Sequence, residues 1–138
     1  MNASDLRKHI TQLAKRLRQE GRNAPETWTQ MLVLSSIDHH GSSATPSVIA
    51  KAESMQSSNL AATLRDLEAA GLIHRQADQQ DRRKILLSLS AQGQALLKAS
   101  RDRRDTWLRE AVESQLTDSE REQLENIVPI LIKLARAP

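Results

Sequence analysis

Apolar residues recur with helical spacing at both ends of the chain. Near the N terminus, leucines and an isoleucine are spaced by four, three and four residues, at Leu6, Ile10, Leu13 and Leu17. This spacing predicts an amphipathic helix over about residues 3–20. Toward the C terminus, Ser90 precedes a helical pattern that we expect to run over about residues 91–115. The run Thr117–Glu120 is a capping box, which predicts a last helix reaching about Ala135.

Three shorter helical patterns lie between these outer helices. Glycine and proline in residues 21–25 interrupt the first pattern, and a helix is predicted over about residues 26–40, ended by a glycine. The dipeptide Thr45–Pro46 is a strong helix start, with a hydroxyl at the cap and proline in the first turn. It opens a short helix over about residues 46–53, and a turn leads into a longer helix over about residues 57–70.

The hydrophobic period then changes from helical to alternating. Residues 72–77 and 84–89 are predicted to form two short strands, because apolar and polar positions alternate there. The six residues 78–83 between them are polar and favour a turn. The pair is therefore predicted to be a small β-hairpin.

A short helix, a tight turn, a longer helix and a hairpin follow in the order that a winged helix-turn-helix requires. The predicted fold class is mainly α with a small β-hairpin wing. The whole chain, residues 1–138, is predicted to be a single domain. A winged-helix lobe at about residues 26–90 is flanked by outer helices at residues 3–20 and 91–137.

Composition excludes several functional classes. The 138 residues include no cysteine, so disulfides, thiolate metal sites and cysteine redox chemistry are excluded. With no Phe or Tyr and two Trp, the core has to be built from aliphatic side chains. No apolar run is long enough to span a membrane and no signal-peptide core is evident, so we expect a cytoplasmic protein. The formal net charge of +3 does not by itself indicate a nucleic-acid partner.

The longer central helix has the polarity of a recognition helix. A recognition helix reads base edges with its N-terminal residues, so that end has to be polar and uncrowded while its leucines face inward. A basic hairpin tip, the wing at residues 78–84, suits an electronegative minor groove. The candidate DNA contacts from these elements, from the start of the short helix and from the first strand are Thr45, Ser47, Gln56, Ser57, Ser58, Asn59, Ala62, Thr63, Arg65, Arg75, Asp81, Arg82 and Arg83. Charge runs of this kind are often ordinary solvated turns, and hydroxyls at a helix start are often simple caps.

Several runs of the sequence resemble the MarR family of transcriptional regulators. They are Ile73-His74-Arg75, then Asp81-Arg82-Arg83, then Leu87-Ser88-Leu89-Ser90 with Gly93, and upstream Leu64, Leu67, Glu68 and Gly71-Leu72. The resemblance covers nearly the whole chain, with Ser90 standing where the family usually has Thr. It implies that Asp81 and Arg83 form the wing-tip pair and that Arg83 enters the minor groove. It also implies a regulator, usually a repressor, that responds to a small phenolic or aromatic ligand.

The outer helices carry an apolar surface that one small domain cannot easily bury alone. We predict that it is a homodimer interface, formed by Leu6, Ile10, Leu13, Leu17, Leu124, Ile127, Val128, Leu131 and Leu134. A twofold dimer presents its two recognition helices one DNA turn apart, roughly 34 Å, and so predicts a pseudo-palindromic operator in double-stranded DNA.

Alternatives to this interpretation remain at the level of sequence. The main one is a winged-helix module that binds a partner protein rather than DNA. No catalytic grouping is evident, and no cofactor is expected. A metal site is not expected either, because the adjacent His39 and His40 diverge by about 100° on a helix. Trp28 and Trp107 are interpreted as core or interface residues, with an effector pocket between the outer helices and the central lobe as the alternative.

Overall fold

The structure is a computed structural model that describes residues 1–21 and 27–138. Six α-helices, a single 3-10 turn and one hairpin follow each other along the described chain. They are α1 (Ala3–Glu20), α2 (Trp28–His40), the 3-10 turn (Gly41–Ser43), α3 (Pro46–Ala52), α4 (Ser57–Ala69), β1 (Ile73–Ala77), β2 (Ile85–Leu89), α5 (Ala91–Gln115) and α6 (Asp118–Ala135). The predicted fold class, mainly α with a β-hairpin wing, is confirmed.

The predicted bounds hold for α1, α5 and α6 and differ slightly elsewhere. Glu53 and Ala70 are the C-caps of α3 and α4 rather than their last residues. Leu72 belongs to the turn after α4, where its amide donates to the Leu67 carbonyl, and Lys84 closes the hairpin tip by donating to the Asp81 carbonyl. The predicted start of the second helix at residue 26, and the interruption after Gly21, lie outside the described residues.

Side-chain caps explain where the helices begin. Thr45, Ser90 and Thr117 each accept a hydrogen bond from a backbone N–H in the first turn of the helix that follows, as the sequence predicts. Thr27 and Gln30 form a further capping box at the start of α2, which the sequence analysis did not identify.

The hydrophobic core lies in the central lobe and is aliphatic throughout. It joins one face of α2, α3 and α4 to the hairpin and the start of α5, through the buried residues Leu34, Ile37, Ile49, Leu60, Leu64, Leu67, Ile73, Leu87 and Leu97. Trp28 is half-buried at the edge of this cluster. Close packing of branched side chains therefore fixes α4 relative to the hairpin.

The hairpin is hydrogen-bonded to the segment that precedes α3. Its strands are antiparallel, with Arg75 opposite Leu87 and Ala77 opposite Ile85. The amide of Leu87 also donates to the carbonyl of Ala44, at 2.8 Å, just before α3. This bond holds the base of the wing beside the start of the helix-turn-helix.

The joint between α1, α2 and α5 is built on a tryptophan and a buried serine. Arg18 of α1 and Arg104 of α5 both lie over the ring of Trp28, at 5.3 and 5.5 Å from its centroid. The buried Ser100 hydroxyl donates to the carbonyl of Gly21, at 2.7 Å. Trp28 is thus one of the side chains through which the outer helices contact the central lobe, and Arg101 of α5, which donates to Asp38 and Ser35 of α2, is another.

Neither α1 nor α6 contains a buried residue. The direction of α6 is nevertheless fixed, because Arg121 donates to the carbonyls of Glu113 and Val112 near the end of α5 and pairs with Asp118. Among the described residues, no helix combines the length and the hydropathy needed to cross a membrane.

Candidate nucleic-acid interface

The turn between α3 and α4 places the two helices as a helix-turn-helix. Ser54 adopts a positive φ of 52°, a conformation that a serine adopts only when the surrounding structure requires it. The amide of Met55 then returns to the carbonyl of Ala50, at 2.9 Å. The chain therefore reverses within a few residues, and α4 starts beside α3.

One face of α4 is buried and the other is free to contact a ligand. Leu60, Leu64 and Leu67 are at most 1% exposed. The predicted contacts at the N-terminal end lie on the exposed face, together with Arg65 one to two turns further along: Ser57, Ser58, Asn59 and Ala62. The side chain of Gln56, at the N-cap, makes no capping hydrogen bond and is exposed. This is the arrangement that base reading in a major groove requires.

Two predicted hydroxyls are less accessible than their neighbours. Thr63 is half-buried and its hydroxyl donates to the carbonyl of Asn59, at 3.1 Å. Thr45 is also half-buried, and its hydroxyl accepts the Val48 amide at the start of α3. Ser47 is exposed. Of these three, Ser47 has the side chain most accessible to a phosphate.

The wing tip is closed by backbone bonds and presents arginines. The amide of Asp78 donates to the carbonyl of Lys84, and the amide of Lys84 donates to the carbonyl of Asp81. One carboxylate oxygen of Asp81 accepts both the amide and the Nε of Arg83, at 3.1 and 3.3 Å. The Arg83 side chain is still 91% exposed, so Asp81 orients its guanidinium without covering it.

Arg75 differs from Arg83 because its ion pair joins two elements of the lobe. Its Nε lies 2.9 Å from a carboxylate oxygen of Glu68, and its side chain is 29% exposed. The pair connects β1 to the last turns of α4. Arg75 therefore links the wing to the recognition helix, whether or not it also contacts a phosphate.

The apolar faces predicted as the dimer interface are exposed on α1 and α6. Leu6, Ile10 and Leu13 are exposed, while Leu17 is half-buried by its own chain. On α6 the exposed apolar set includes all the predicted residues and two that the sequence analysis missed, Ile130 and Ile132, at 53% and 47% exposed. Ile130 and Ile132 lie outside the single apolar stripe that the other five residues form along the helix.

Comparison with known proteins supports the assignment of a winged helix-turn-helix. The model of the MarR family matches residues 27–85, which hold the central lobe from α2 to the start of β2. The crystal structure of a Pseudomonas aeruginosa protein described as a transcriptional regulator is 42% identical, with a TM-score of 0.87, covering 99% of this chain and 94% of that one. An HTH-type transcriptional regulator of Mycobacterium leprae is 29% identical over 132 residues, which are 96% of this chain and 91% of the relative.

Structures of S. aureus MepR have the same fold. A mutant of MepR bound to an oligodeoxyribonucleotide is 28% identical, with a TM-score of 0.70, covering 97% of this chain and 99% of that one. MepR bound to ethidium bromide is 27% identical, with a TM-score of 0.65 and 97% coverage of each chain. From the helix-turn-helix, the arginine-bearing wing and these relatives, the chain belongs to the MarR family of transcriptional regulators.

Proposed function

We propose that this regulator is a homodimer that binds a pseudo-palindromic operator in double-stranded DNA and represses transcription in the cytoplasm, without catalytic activity. The observation that carries the proposal is the polarity of α4. Its leucines are buried, while its N-terminal polar residues are exposed on the same lobe as the uncovered guanidinium of Arg83. A surface of this kind matches the edges and phosphates of a duplex.

Each half of the interface has a distinct task. The N-terminal end of α4, with Asn59 at its exposed face, reads bases in the major groove, because an amide side chain both donates and accepts at an adenine edge. The wing inserts Arg83 into the adjacent minor groove, where a narrow groove concentrates negative potential. Phosphate contacts supply most of the affinity, and the α4 and wing contacts supply the specificity.

The dimer is supported by the width of the apolar surface on α6. Ile130 and Ile132 lie about 100° to either side of Leu131 on the helix, so the apolar arc spans more than half of the helix circumference. A single neighbouring helix covers a narrower stripe, and an arc this wide needs cover from more than one direction. Helices of a second copy on both flanks of α6 provide that cover.

Charge complementarity between the two outer helices also points to a second copy of the chain as the partner. Helix α1 carries five basic and two acidic side chains, a net +3, and α6 carries two basic and four acidic ones, a net −2. Both have exposed apolar faces. The apolar face of α1 in one protomer therefore suits α6 of its partner, and the charges beside the faces attract.

A small aromatic effector is proposed to bind beside Trp107. A cleft of about 360 Å³ lies between the end of α1 and the middle of α5, and it is lined by Glu20, Asp102, Arg103, Thr106, Trp107 and Glu110. Within the described chain, Nε and Nη2 of Arg103 are buried and have no hydrogen-bond partner. An aromatic ligand that stacks on the indole and accepts from this guanidinium would satisfy both groups. Its binding would shift the dimer from conformations whose lobe separation fits DNA to conformations whose lobe separation does not.

Genomic footprinting with the purified protein tests the DNA-binding proposal. We expect protected sites with twofold symmetry and half-sites one helical turn apart. Binding to a recovered duplex should weaken at least tenfold between about 50 and 200 mM salt. If the protein protects no site and binding to duplexes is absent at low salt, the DNA-binding proposal is wrong, and a partner protein for the α4 and wing surface becomes the interpretation to test.

A further inference from the structure

A cleft lies between the base of the wing and the start of α3. Its volume is about 640 Å³. One wall comes from the 3-10 turn and the first residues of α3, and the other comes from the end of the wing tip and the start of β2. The bond from the Leu87 amide to the Ala44 carbonyl joins the two walls at one point.

The polar groups at this cleft are hydroxyls on one wall and cations on the other. Ser42 and Ser43 are exposed on the 3-10 turn, and neither hydroxyl has a hydrogen-bond partner among the described residues. Arg83 and Lys84 line the opposite wall, and Lys84 is exposed with no ion pair among the described side chains. Hydroxyl and ammonium donors on facing walls suit an anionic ligand with several oxygens.

The position of the cleft relative to α4 identifies that ligand. Pro46 and Ser47 line this cleft and also line a second groove, whose other wall includes Ser57 at the start of α4. The start of α3 therefore lies between the recognition helix and the wing. In a duplex that receives α4 in the major groove and the wing in the adjacent minor groove, a sugar–phosphate strand separates the two grooves.

We infer that this cleft holds the sugar–phosphate strand between the two grooves, with Lys84, Ser42 and Ser43 as phosphate contacts. The inference rests on the proposed DNA-binding function and adds three residues that the sequence analysis did not select. Phosphate contacts fix the register of a protein on the duplex without reading its sequence. Lys84 thus sets affinity and alignment, while Arg83 beside it acts in the groove.

Asp78 is the acidic group at the cleft, and it limits where a phosphate lies. Its carboxylate accepts the amide of Gln80, at 3.1 Å, which keeps it at the wing-tip end. A phosphate is repelled from that end. The position it favours is therefore the one between Lys84 and the 3-10 turn.

The salt dependence of binding tests this inference. Wild type, Lys84→Ala and the double variant Ser42→Ala/Ser43→Ala are titrated against two duplexes, the operator recovered by footprinting and a scrambled duplex of the same composition. Lys98→Ala is the matched control, because Lys98 is an exposed lysine on α5 that pairs with Asp102 and does not line the cleft. Thermal unfolding confirms that each variant is folded.

Lys84→Ala is expected to weaken binding to both duplexes by the same factor. In a dimer it removes two phosphate contacts, so the slope of log affinity against log salt falls by about 1.8. The affinity lost between about 50 and 200 mM salt then becomes roughly tenfold smaller than in wild type. The double serine variant should weaken binding to both duplexes with little change in the slope of log affinity against log salt, because its hydroxyls release no counterions.

Three further results are distinguishable. If wild type binds both duplexes and the salt slope of Lys84→Ala equals that of Lys98→Ala, the cleft does not hold the strand. The inference is then wrong, while the proposed DNA-binding function stands. If Lys84→Ala loses affinity for the operator but not for the scrambled duplex, the inference is also wrong, because a phosphate contact does not discriminate between sequences. If wild type binds neither duplex, the proposed function is wrong and the inference is wrong with it.

Discussion

Gly93 in the first turn of α5 lies directly against the backbone carbonyl of Leu72. A methyl group added at Gly93 would overlap that oxygen and crowd the carbonyl carbon, which lies 3.1 Å from the added atom. The same carbonyl accepts the amide of Ser90, and the Ser90 hydroxyl donates to the carbonyl of Gly71. The end of the recognition-helix unit and the start of α5 are thus joined backbone to backbone.

Gly93→Ala is therefore expected to destabilise the protein by about 1–3 kcal/mol, the usual cost of forcing extra atoms into a packed site. The obstacle is backbone, which cannot rotate away as a side chain does. Urea unfolding followed by circular dichroism measures the change. Gln94→Ala, an exposed substitution in the same turn, is the control and should change stability by less than about 0.5 kcal/mol. Equal stability of both variants would contradict the packing argument.

Arg83→Ala is expected to weaken operator binding by about 1–3 kcal/mol while leaving the dimer intact. Asp81 orients this guanidinium, and 91% of the side chain remains exposed, so its loss affects the DNA complex rather than folding. Gel-shift titration on the footprinted duplex measures the change. Lys98→Ala removes the same charge from α5 and should bind nearly as wild type does. Unchanged binding by Arg83→Ala would remove this side chain from the mechanism.

Much of this site follows from local signals in the sequence. The polar start of α4 and the turn at residues 78–84 are visible because Ser57, Asn59 and Asp81 have clear local preferences. The helical spacing of Leu60, Leu64 and Leu67 fixes which face of α4 is buried. The fold class and these elements could therefore be predicted without a structure.

The parts that could not be predicted depend on contacts between distant segments. The pairing of Arg75 with Glu68, the position of Trp28 between Arg18 and Arg104, and the cleft beside Lys84 all bring together residues from different elements. Spacing along one helix or strand carries no information about such neighbours. Lys84 in particular lies within the predicted wing at residues 78–84 but is not among the predicted DNA contacts, because its position across the cleft from Ser42 and Ser43 depends on how the hairpin packs against the 3-10 turn.

The pKa of Glu120 is expected to rise when the hydroxyl of Thr117 is removed. The backbone N–H and the hydroxyl of Thr117 donate to the Glu120 carboxylate, at 3.1 and 2.9 Å, and these bonds hold its pKa below the ordinary value of 4.5. Because the folded-state pKa is lowered, the cap stabilises α6 above the unfolded pKa, and this contribution is lost as pH falls through the folded pKa. In Thr117→Val one donor is absent, so the pKa should move toward 4.5.

Titration of the Glu120 side chain by NMR measures this shift. Ser119→Ala, in the same turn and outside the capping box, is the matched control and should titrate as wild type does. A Glu120 pKa that is the same in Thr117→Val and wild type would show that the Thr117 hydroxyl does not contribute to lowering it.

Leu13→Asp is expected to split the dimer. Leu13 is 49% exposed in the protomer and lies on the apolar face of α1, where a partner subunit would bury it. A buried carboxylate without a partner costs several kcal/mol, and twofold symmetry applies that cost twice. Sedimentation velocity measures the result. Gln12→Asp places the same charge about 100° around α1 from Leu13, outside the apolar face, and should remain dimeric. Dimers that persist in Leu13→Asp at micromolar concentration would show that α1 does not form the interface, and the pseudo-palindromic operator would then need another pair of contacting surfaces.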